Sequence, residues 1–329
     1  MRPKRTSSSI KLPLKSAIAF LILASAPLTG AQTLQTLYAF NSTDGAYPQA
    51  ALTLGADGNF YGTTWGGGNT NLTWPGGLGT VFKVATNGDL TTLYSFTGGN
   101  NGATPPSSLT PGTDGNFYGT TVNAGSGNAG TLFQMATSGA LTTLYSFPAG
   151  AGVPWAALTL GNDGKFYGTA YTGGSGNRGT VFKVTTSGTL TTLVSFNFTN
   201  GACPEGTLTL GSDGNFYGTT AGGGITNSTS GYGMGTVFKV ATNGTLTKLY
   251  SFTGGNDGAT PLSSLSLGYD GNFYGTTEGG GITNSTYPSG MGTVFKVTTN
   301  GTLTTLVSFT GNNGANPYAA LTLGTDGKF

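Results

Sequence analysis

The eight-residue stretch Asp57–Thr64, Asp-Gly-Asn-Phe-Tyr-Gly-Thr-Thr, constrains the fold of this chain more than any other feature. A sixth copy begins at Asp326 and is cut off at Phe329. Successive copies start 49 to 57 residues apart, and a regular interval of this length identifies a tandem repeat. The other copies, with few changes, are Asp114–Thr121, Asp163–Ala170, Asp213–Thr220 and Asp270–Thr277.

Each repeat predicts four short strands, which we call a, b, c and d. In the first repeat they are Ala51–Leu54, Asn59–Thr64, Gly79–Val84 and Leu90–Phe96. Runs of β-branched and aromatic residues bounded by Asp-Gly or Asn-Gly are typical of strands joined by tight hairpins. No helical period follows residue 31, so we predict an all-β chain. The five complete repeats lie near residues 51–96, 108–147, 157–196, 207–252 and 264–309.

Four antiparallel strands in about 50 residues are typical of one blade of a β-propeller. Residues 34–40 match strand d with no a, b or c before them, and residues 320–329 begin with a strand a. We therefore expect five complete blades plus a partial sixth, closed by the N-terminal strand. Because strands b and c of that blade are missing, we expect the natural protein to continue beyond Phe329.

The N-terminus predicts a signal peptide over residues 1–31 and a propeller domain over 32–329. A basic segment precedes the apolar residues 17–26, and Thr29-Gly-Ala31 supplies the small residues that signal peptidase requires. The apolar run is about half of the roughly 20 residues that a membrane span needs. We expect a secreted or cell-surface protein with no membrane span in this chain.

Composition excludes several functional classes. Five of the 13 basic residues lie in the predicted signal peptide, so the remainder carries 8 basic against 11 acidic residues. This balance leaves no basic patch for nucleic acid. The chain has no histidine, which removes the Ser-His-Asp triad and the commonest metal ligand, and Cys203 has no partner for an intrachain disulfide. We expect no metal and no cofactor.

The repeated units Gly-Thr-Val-Phe-Lys-Val, Leu-Thr-Thr-Leu-Tyr-Ser-Phe, Asp257-Gly-Ala-Thr-Pro261 and Asp-Gly-Asn-Phe-Tyr-Gly-Thr-Thr resemble the GloVer (Gloeobacter/Verrucomicrobia) tandem-repeat family. The resemblance covers essentially the whole chain after residue 31. It implies a secreted or surface-anchored bacterial protein whose repeats form a propeller, often with a C-terminal anchor. It implies no established enzymatic activity, and therefore no catalytic residues to carry over.

Most carboxylates belong to the repeat signatures. The hairpin aspartates favour turn formation, and a ring of carboxylates that holds calcium is the alternative. Glu205 and Glu278 lie outside these signatures, in loops of different repeats. They leave open a second function, an extracellular carbohydrate-active enzyme that uses two loop carboxylates.

Loop length predicts where a partner binds. The a–b and c–d turns are short, whereas the b–c and d–a loops are long and lie on the opposite face of the disc, where binding usually occurs. We expect a monomeric, non-catalytic binding or structural module whose partner is an extracellular protein or polysaccharide. A purely structural envelope component, with aromatic residues that only pack the loops, is the alternative. The candidate ligand-binding residues are Trp65, Trp74, Trp155, Tyr171, Tyr232 and Tyr287.

Overall fold

The computed structural model describes residues 17–20, 34–70, 74–226 and 231–329. Apart from one 3-10 turn at Gly99–Asn101, the regular structure of these residues is all β. Five four-stranded antiparallel sheets follow one another along the chain, which confirms the predicted all-β architecture of four-stranded units. The predicted cleavage site after Ala31 lies outside the described residues.

The five sheets share one strand order, a-b-c-d, and we number them 1 to 5 along the chain. Sheet 1 contains β3 (Thr53–Leu54), β4 (Phe60–Thr64), β5 (Thr80–Val84) and β6 (Leu90–Ser95). Sheet 2 contains β7 (Thr110–Pro111), β8 (Phe117–Thr121), β9 (Thr131–Met135) and β10 (Leu141–Ser146). Sheet 3 contains β11 (Thr159–Leu160), β12 (Phe166–Ala170), β13 (Thr180–Val184) and β14 (Leu190–Ser195). Sheet 4 contains β15 (Thr209–Leu210), β16 (Phe216–Thr220), β17 (Thr236–Val240) and β18 (Leu246–Ser251). Sheet 5 contains β19 (Ser266–Leu267), β20 (Phe273–Thr277), β21 (Thr293–Val297) and β22 (Leu303–Ser308).

Two further strands pair near the N-terminus. β1 (Ala17–Phe20), within the predicted signal peptide, pairs antiparallel with β2 (Gln35–Ala39), which matches strand d. The register shifts between Ile18 and Ala19, as it does between Val81 and Phe82 where strand c pairs with strand d in sheet 1. β1 therefore occupies the position that strand c has in the complete sheets.

The repeated hairpin serves the turn between strands a and b. In sheet 4, Gly214 has φ +74°, a left-handed conformation that suits glycine. The Asp213 carboxylate accepts hydrogen bonds from the Asn215 amide N–H at 3.1 Å and from Tyr217 Oη at 2.9 Å. The aspartate thus ties the turn to a tyrosine on strand b, which explains why these three residue types recur together.

The glycine on strand b permits close packing inside each sheet. A Cβ at Gly218 would lie 2.6 Å from Cζ of Phe238 and 3.0 Å from Cδ2 of Leu208. Both of these side chains are buried. The strand therefore keeps a glycine, despite its low β-propensity, because a side chain would overpack this site.

Buried aromatic pairs join each sheet to the next. The hairpin tyrosine of one sheet packs on the first residue of strand b in the following sheet, as in Tyr61–Phe117 with ring centroids 4.2 Å apart. A second pair joins the end of strand d to the next strand c, as in Phe96–Phe133 at 5.5 Å. The sheets therefore pack side by side through one repeated interface. The other strand-b pairs are Tyr118–Phe166, Tyr167–Phe216 and Tyr217–Phe273.

Both ends of the repeat region use the same interface. Phe40, which follows β2, packs edge-on against Phe82 of sheet 1 at 5.1 Å. At the other end, Phe329 packs on Tyr274 of sheet 5 at 4.3 Å. Residues 320–323, predicted as a strand a, pair with no strand among the described residues, although Leu321 O accepts a hydrogen bond from Ser266 Oγ. Phe40 and Phe329 therefore pack on sheets 1 and 5 through contacts like those that join the sheets to one another.

Candidate functional site

The two families of long loops meet on one face of the sheets, because backbone hydrogen bonds join them. In sheet 5, the Ala259 N–H donates to Gly279 O at 2.8 Å, and the Gly279 N–H donates back to Ala259 O at 3.0 Å. Each pair links the d–a loop that precedes a sheet to the b–c loop of the same sheet. The corresponding pairs are Ala46–Gly66, Ala103–Asn123 and Ala202–Gly222.

A strained residue precedes the proline of most d–a loops. Cys203, before Pro204, has φ +55°, and Thr260, before Pro261, also has φ +55°. A left-handed conformation is unfavourable for residues that carry a Cβ, and such strain clusters at functional sites. The Cys203 carbonyl accepts the N–H of Ala221, the first residue after strand b, at 3.0 Å. The other strained pre-proline residues are Tyr47, Thr104 and Asn316.

This geometry brings together two positions at which the side chain differs from one repeat to the next. One position follows the loop proline, and the other follows strand b. Both are flanked by residues that hardly change from repeat to repeat. The first position holds Gln49, Pro106, Trp155, Glu205, Leu262 and Tyr318, and the second holds Trp65, Val122, Tyr171, Ala221 and Glu278. Side-chain chemistry that is specific to this protein is therefore concentrated on this face.

An aromatic and acidic cavity forms at three of these positions. Trp155, Tyr171 and Glu205 line a cavity of about 240 Å³. The Trp155 ring stacks on Trp65, with centroids 5.5 Å apart and planes 19° apart, although these residues belong to loops that are distant in sequence. Trp155 remains 42% exposed, so the stacked pair leaves part of the indole available for a ligand.

Cys203 lies between two tyrosines at the edge of this cavity. Its Sγ lies 2.8 Å from Tyr232 Oη, and it also interacts with Tyr171. Burial, followed by the interactions with Cys203 and Glu205, raises the pKa of Tyr171 to about 12. The Arg178 guanidinium lies 3.9 Å from the centre of the Phe198 ring and 5.7 Å from that of Tyr232. The phenols therefore stay neutral hydrogen-bonding groups at physiological pH.

Glu205 and Glu278 are the carboxylates of the site. Burial of Glu205, and then the negative charge of Glu278, raise the pKa of Glu205 above its ordinary value of 4.5. Glu278 accepts a hydrogen bond from Tyr318 Oη on Oε1 at 2.6 Å, and its carbonyl accepts one from Asn316 Nδ2 at 2.9 Å. The Glu205 carboxyl is therefore held toward its acid form, while the Glu278 carboxyl is oriented by the hydrogen bond from Tyr318.

A larger cavity of about 580 Å³ adjoins Glu278, and Thr260, Ser289 and Asn316 also line it. Its volume lies within the roughly 300–1,000 Å³ typical of small-molecule sites. Each cavity thus has one of the two interacting carboxylates in its wall. The described residues contain no group of three Cys, Asp or Glu side chains placed to hold a metal ion.

The structure brings some of the predicted ligand-binding residues together and separates others. Trp65, Trp155 and Tyr171 meet at the smaller cavity, and Tyr232 lies on the other side of Cys203. Trp74 instead packs against a core cluster that contains Leu78 and Phe96. Tyr287 stabilises its own loop, where its N–H donates to Asn284 Oδ1 at 2.9 Å.

Sequence reasoning missed two contributors to the site. Neither the position of Tyr318 nor the single Cys203 predicts by itself a part in the site. Comparison of the repeats with one another contains the signal for Tyr318, since it occupies the same variable position as Trp155 and Glu205. The contacts of Cys203 with two tyrosines depend on loops that converge only in the folded chain.

The fold and its repeats define a β-propeller-like, all-β tandem-repeat protein. The sequence pattern of the Gloeobacter/Verrucomicrobia repeat matches residues 25–154, 76–285 and 224–329. The chain belongs to this family, as its repeated motifs had predicted. No curated protein matches the chain by sequence.

The solved structures that are similar in fold include two that match most of this chain. One is a gluconolactonase from Xanthomonas campestris, with a TM-score of 0.51 and 13% identity, and the match covers 87% of this chain and 82% of that protein. The other is a candidate 6-phosphogluconolactonase from Bacteroides uniformis, with a TM-score of 0.52 and 18% identity, over 84% of this chain and 74% of that protein. Identities this low establish the fold and leave the reaction to be argued from this chain's residues.

The expectation of a non-catalytic binding or structural module is wrong. The two solved structures named above are described as lactonases, which contradicts this expectation. No helix among the described residues is long and apolar enough to cross a membrane.

Proposed function

We propose that this protein is an exported hydrolase of sugar-derived substrates in which Glu205 and Glu278 carry the chemistry. The observation that carries the proposal is the placement of the two glutamates, with Glu205 in the wall of one cavity and Glu278 in the wall of the other. Burial, and then the charge of Glu278, raise the pKa of Glu205. Pairs of carboxyl groups whose environments separate their protonation states are the usual basis of acid–base catalysis by glutamates.

Each side chain then has a defined role in hydrolysis. Glu278, oriented by Tyr318, accepts a proton from the attacking water, whose oxygen bonds to the acyl or anomeric carbon of the substrate. Glu205 donates its proton to the oxygen that leaves that carbon. The products together contain one added water, and transfer of a proton from Glu278 to Glu205 through solvent restores both groups.

The proposal includes a closed six-bladed propeller that is exported. The contacts of Phe40 with Phe82 and of Phe329 with Tyr274 support a sixth unit built from both ends. Removal of residues 1–31 would release β1 from β2 and leave that position for a strand c. Export predicts that the secreted protein begins at Gln32, which N-terminal sequencing would check.

The proposed activity is tested with the purified full chain on a panel of nitrophenyl glycosides, neutral polysaccharides and glucono-δ-lactone. We expect hydrolysis of at least one substrate, and a fall in kcat of about 10²–10⁴-fold in Glu205→Gln and in Glu278→Gln. The matched control is Asp89→Asn, because Asp89 is an exposed carboxylate in a c–d turn, where it accepts a hydrogen bond from Asn87. Wild-type rates in both glutamine variants, or no hydrolysis of any substrate by the wild type, would contradict the proposal.

A further inference from the structure

We infer that the cavity lined by Trp155, Tyr171 and Glu205 binds one uncharged sugar ring, which stacks on the Trp155 indole. The inference deepens the proposed function, because it places the sugar beside the same carboxylate. It commits the site to neutral carbohydrate rather than to uronic acids or sugar phosphates. Three independent features of the cavity support it.

The first feature is a pre-positioned aromatic surface. Trp155 is 42% exposed, yet its ring is held by the stacking contact with Trp65 at 5.5 Å. The C–H groups of a pyranose form an apolar face that packs on an indole, while its hydroxyl groups remain free to hydrogen-bond. A side chain that is already held in place loses little conformational entropy when a ligand binds, which favours affinity.

The second feature is size and polarity. At about 240 Å³, the cavity is smaller than the roughly 300–1,000 Å³ typical of drug-sized ligands, which suits a single ring. Tyr171 keeps its phenol protonated, because burial raises its pKa to about 12. A neutral phenol and a carboxyl group next to an indole provide hydrogen-bonding partners for hydroxyl groups along one side of the ring.

The third feature is charge. The charge of Glu278 makes the site negative, and the Arg178 guanidinium lies over the Phe198 ring. No basic residue is among those that line the two cavities. A carboxylate or phosphate on the ligand would therefore meet like charge without a cation to balance it. The other basic residues of the repeat region lie in a–b turns or on strands c and d: Lys83, Lys165, Lys183, Lys239, Lys248, Lys296 and Lys328.

The test is calorimetric titration of the Glu205→Gln protein, which should leave the sugar intact. The probes are the neutral trisaccharides of glucose, xylose and mannose, together with trigalacturonate. We expect at least one neutral trisaccharide to bind, and Trp155→Ala to weaken that binding about tenfold or more, since a buried aromatic contact contributes about 1.4 kcal/mol or more. Trp155→Phe should recover part of the affinity. The control is Trp74→Phe, which should leave the affinity unchanged because Trp74 packs against a core cluster.

The ratio of affinities for charged and neutral probes provides a second measurement. A merely structural role for Trp155 would not change this ratio. Trigalacturonate should bind at least tenfold more weakly than the best neutral trisaccharide, and the further change Glu278→Gln should narrow that difference. Equal affinity for the charged and neutral probes, or unchanged affinity in Trp155→Ala, would overturn the inference. Sugar binding without hydrolysis of any substrate would overturn the proposed activity alone, so the two failures are distinguishable.

Discussion

Two pairs, each made of an acidic residue and a tyrosine, lie on opposite faces of the sheets. The pKa of the acidic residue is lowered in one pair and raised in the other. At the a–b turn of sheet 4, Tyr217 donates to Asp213 at 2.9 Å, and hydrogen bonds from Asn215 and Tyr217 outweigh the effect of burial and lower the pKa of Asp213. On the long-loop face, burial and the charge of Glu278 raise the pKa of Glu205, next to Tyr171.

The surroundings of a carboxyl group, rather than its residue type, decide whether its pKa is lowered or raised. Asp213 is surrounded by donors that stabilise its charge, so it remains ionised and holds the turn together. Burial of Glu205, and then the charge of Glu278, destabilise its ionised form, which suits the proposed role of proton donor. The pair of aspartate and tyrosine at the a–b turn recurs in every complete repeat, whereas the pair of Glu205 and Tyr171 occurs once.

The largest expected effect is the difference in stability between the alanine variants of Tyr217 and Tyr171. Tyr217 is fully buried and stacks on Phe273 of the next sheet at 4.0 Å, so Tyr217→Ala should lower the free energy of unfolding by about 3–5 kcal/mol. Tyr171 is half-buried at a cavity, so Tyr171→Ala should cost about 1 kcal/mol. Urea unfolding of both variants measures the difference. Equal losses would mean that the two tyrosines serve the fold alike.

The second effect concerns the pH dependence of stability, which has opposite signs for Asp213 and Glu205. The pKa of Asp213 is lowered in the folded state, so its contribution to stability is present above the unfolded value and is lost as pH falls below about 3.8. The pKa of Glu205 is raised, so its contribution is present below the unfolded value near 4.5 and is lost as pH rises through the folded value.

Thermal unfolding from acid to neutral pH checks both signs. Relative to wild type, Glu205→Gln should become more stable as pH rises above 4.5, and Asp213→Asn should lose its disadvantage as pH falls below 3.8. Hydrolysis should decline as pH rises through the raised pKa of Glu205, because the proton donor is then lost. An activity that increases over this range would rule out Glu205 as the acid.

The smallest effect concerns a natural variant of the hairpin. Lys165 takes the place that asparagine has in the other complete hairpins, and its Nζ lies 3.3 Å from Asp163 Oδ2 with both side chains partly exposed. Asn215 instead donates Nδ2 to Asp213 at 2.7 Å. Lys165→Asn should therefore change the free energy of unfolding by about 0.5 kcal/mol or less, measured by urea titration. A larger loss would indicate that the ion pair matters more than the turn.

Much of the fold could be predicted because its signals are local. Alternating β-branched residues and Asp-Gly turns predicted the four strands of each unit, and Gly214 has the left-handed conformation that the turn requires. The predicted strand a at residues 320–323 pairs with no strand among the described residues, because a strand needs a neighbour that a local pattern does not supply.

The site was predicted only in part. Trp65, Trp155 and Tyr171 were selected because they are aromatic residues in long loops, and the same criterion selected Trp74, which packs into a core cluster. Composition and loop length do not distinguish a side chain that faces a cavity from one that turns toward the sheet. The direction is decided by packing against neighbouring elements.

The sequence by itself determined the repeated unit, its strands and turns, and the family, because each of these depends on residues close together in the chain. Only the tertiary structure decided that Glu205 and Glu278 act on each other, and that Trp65 stacks on Trp155. The physical reason is the packing of the sheets against one another. Similar loops from successive sheets converge on one face, so residues far apart in sequence become neighbours, and their interaction changes what each can do.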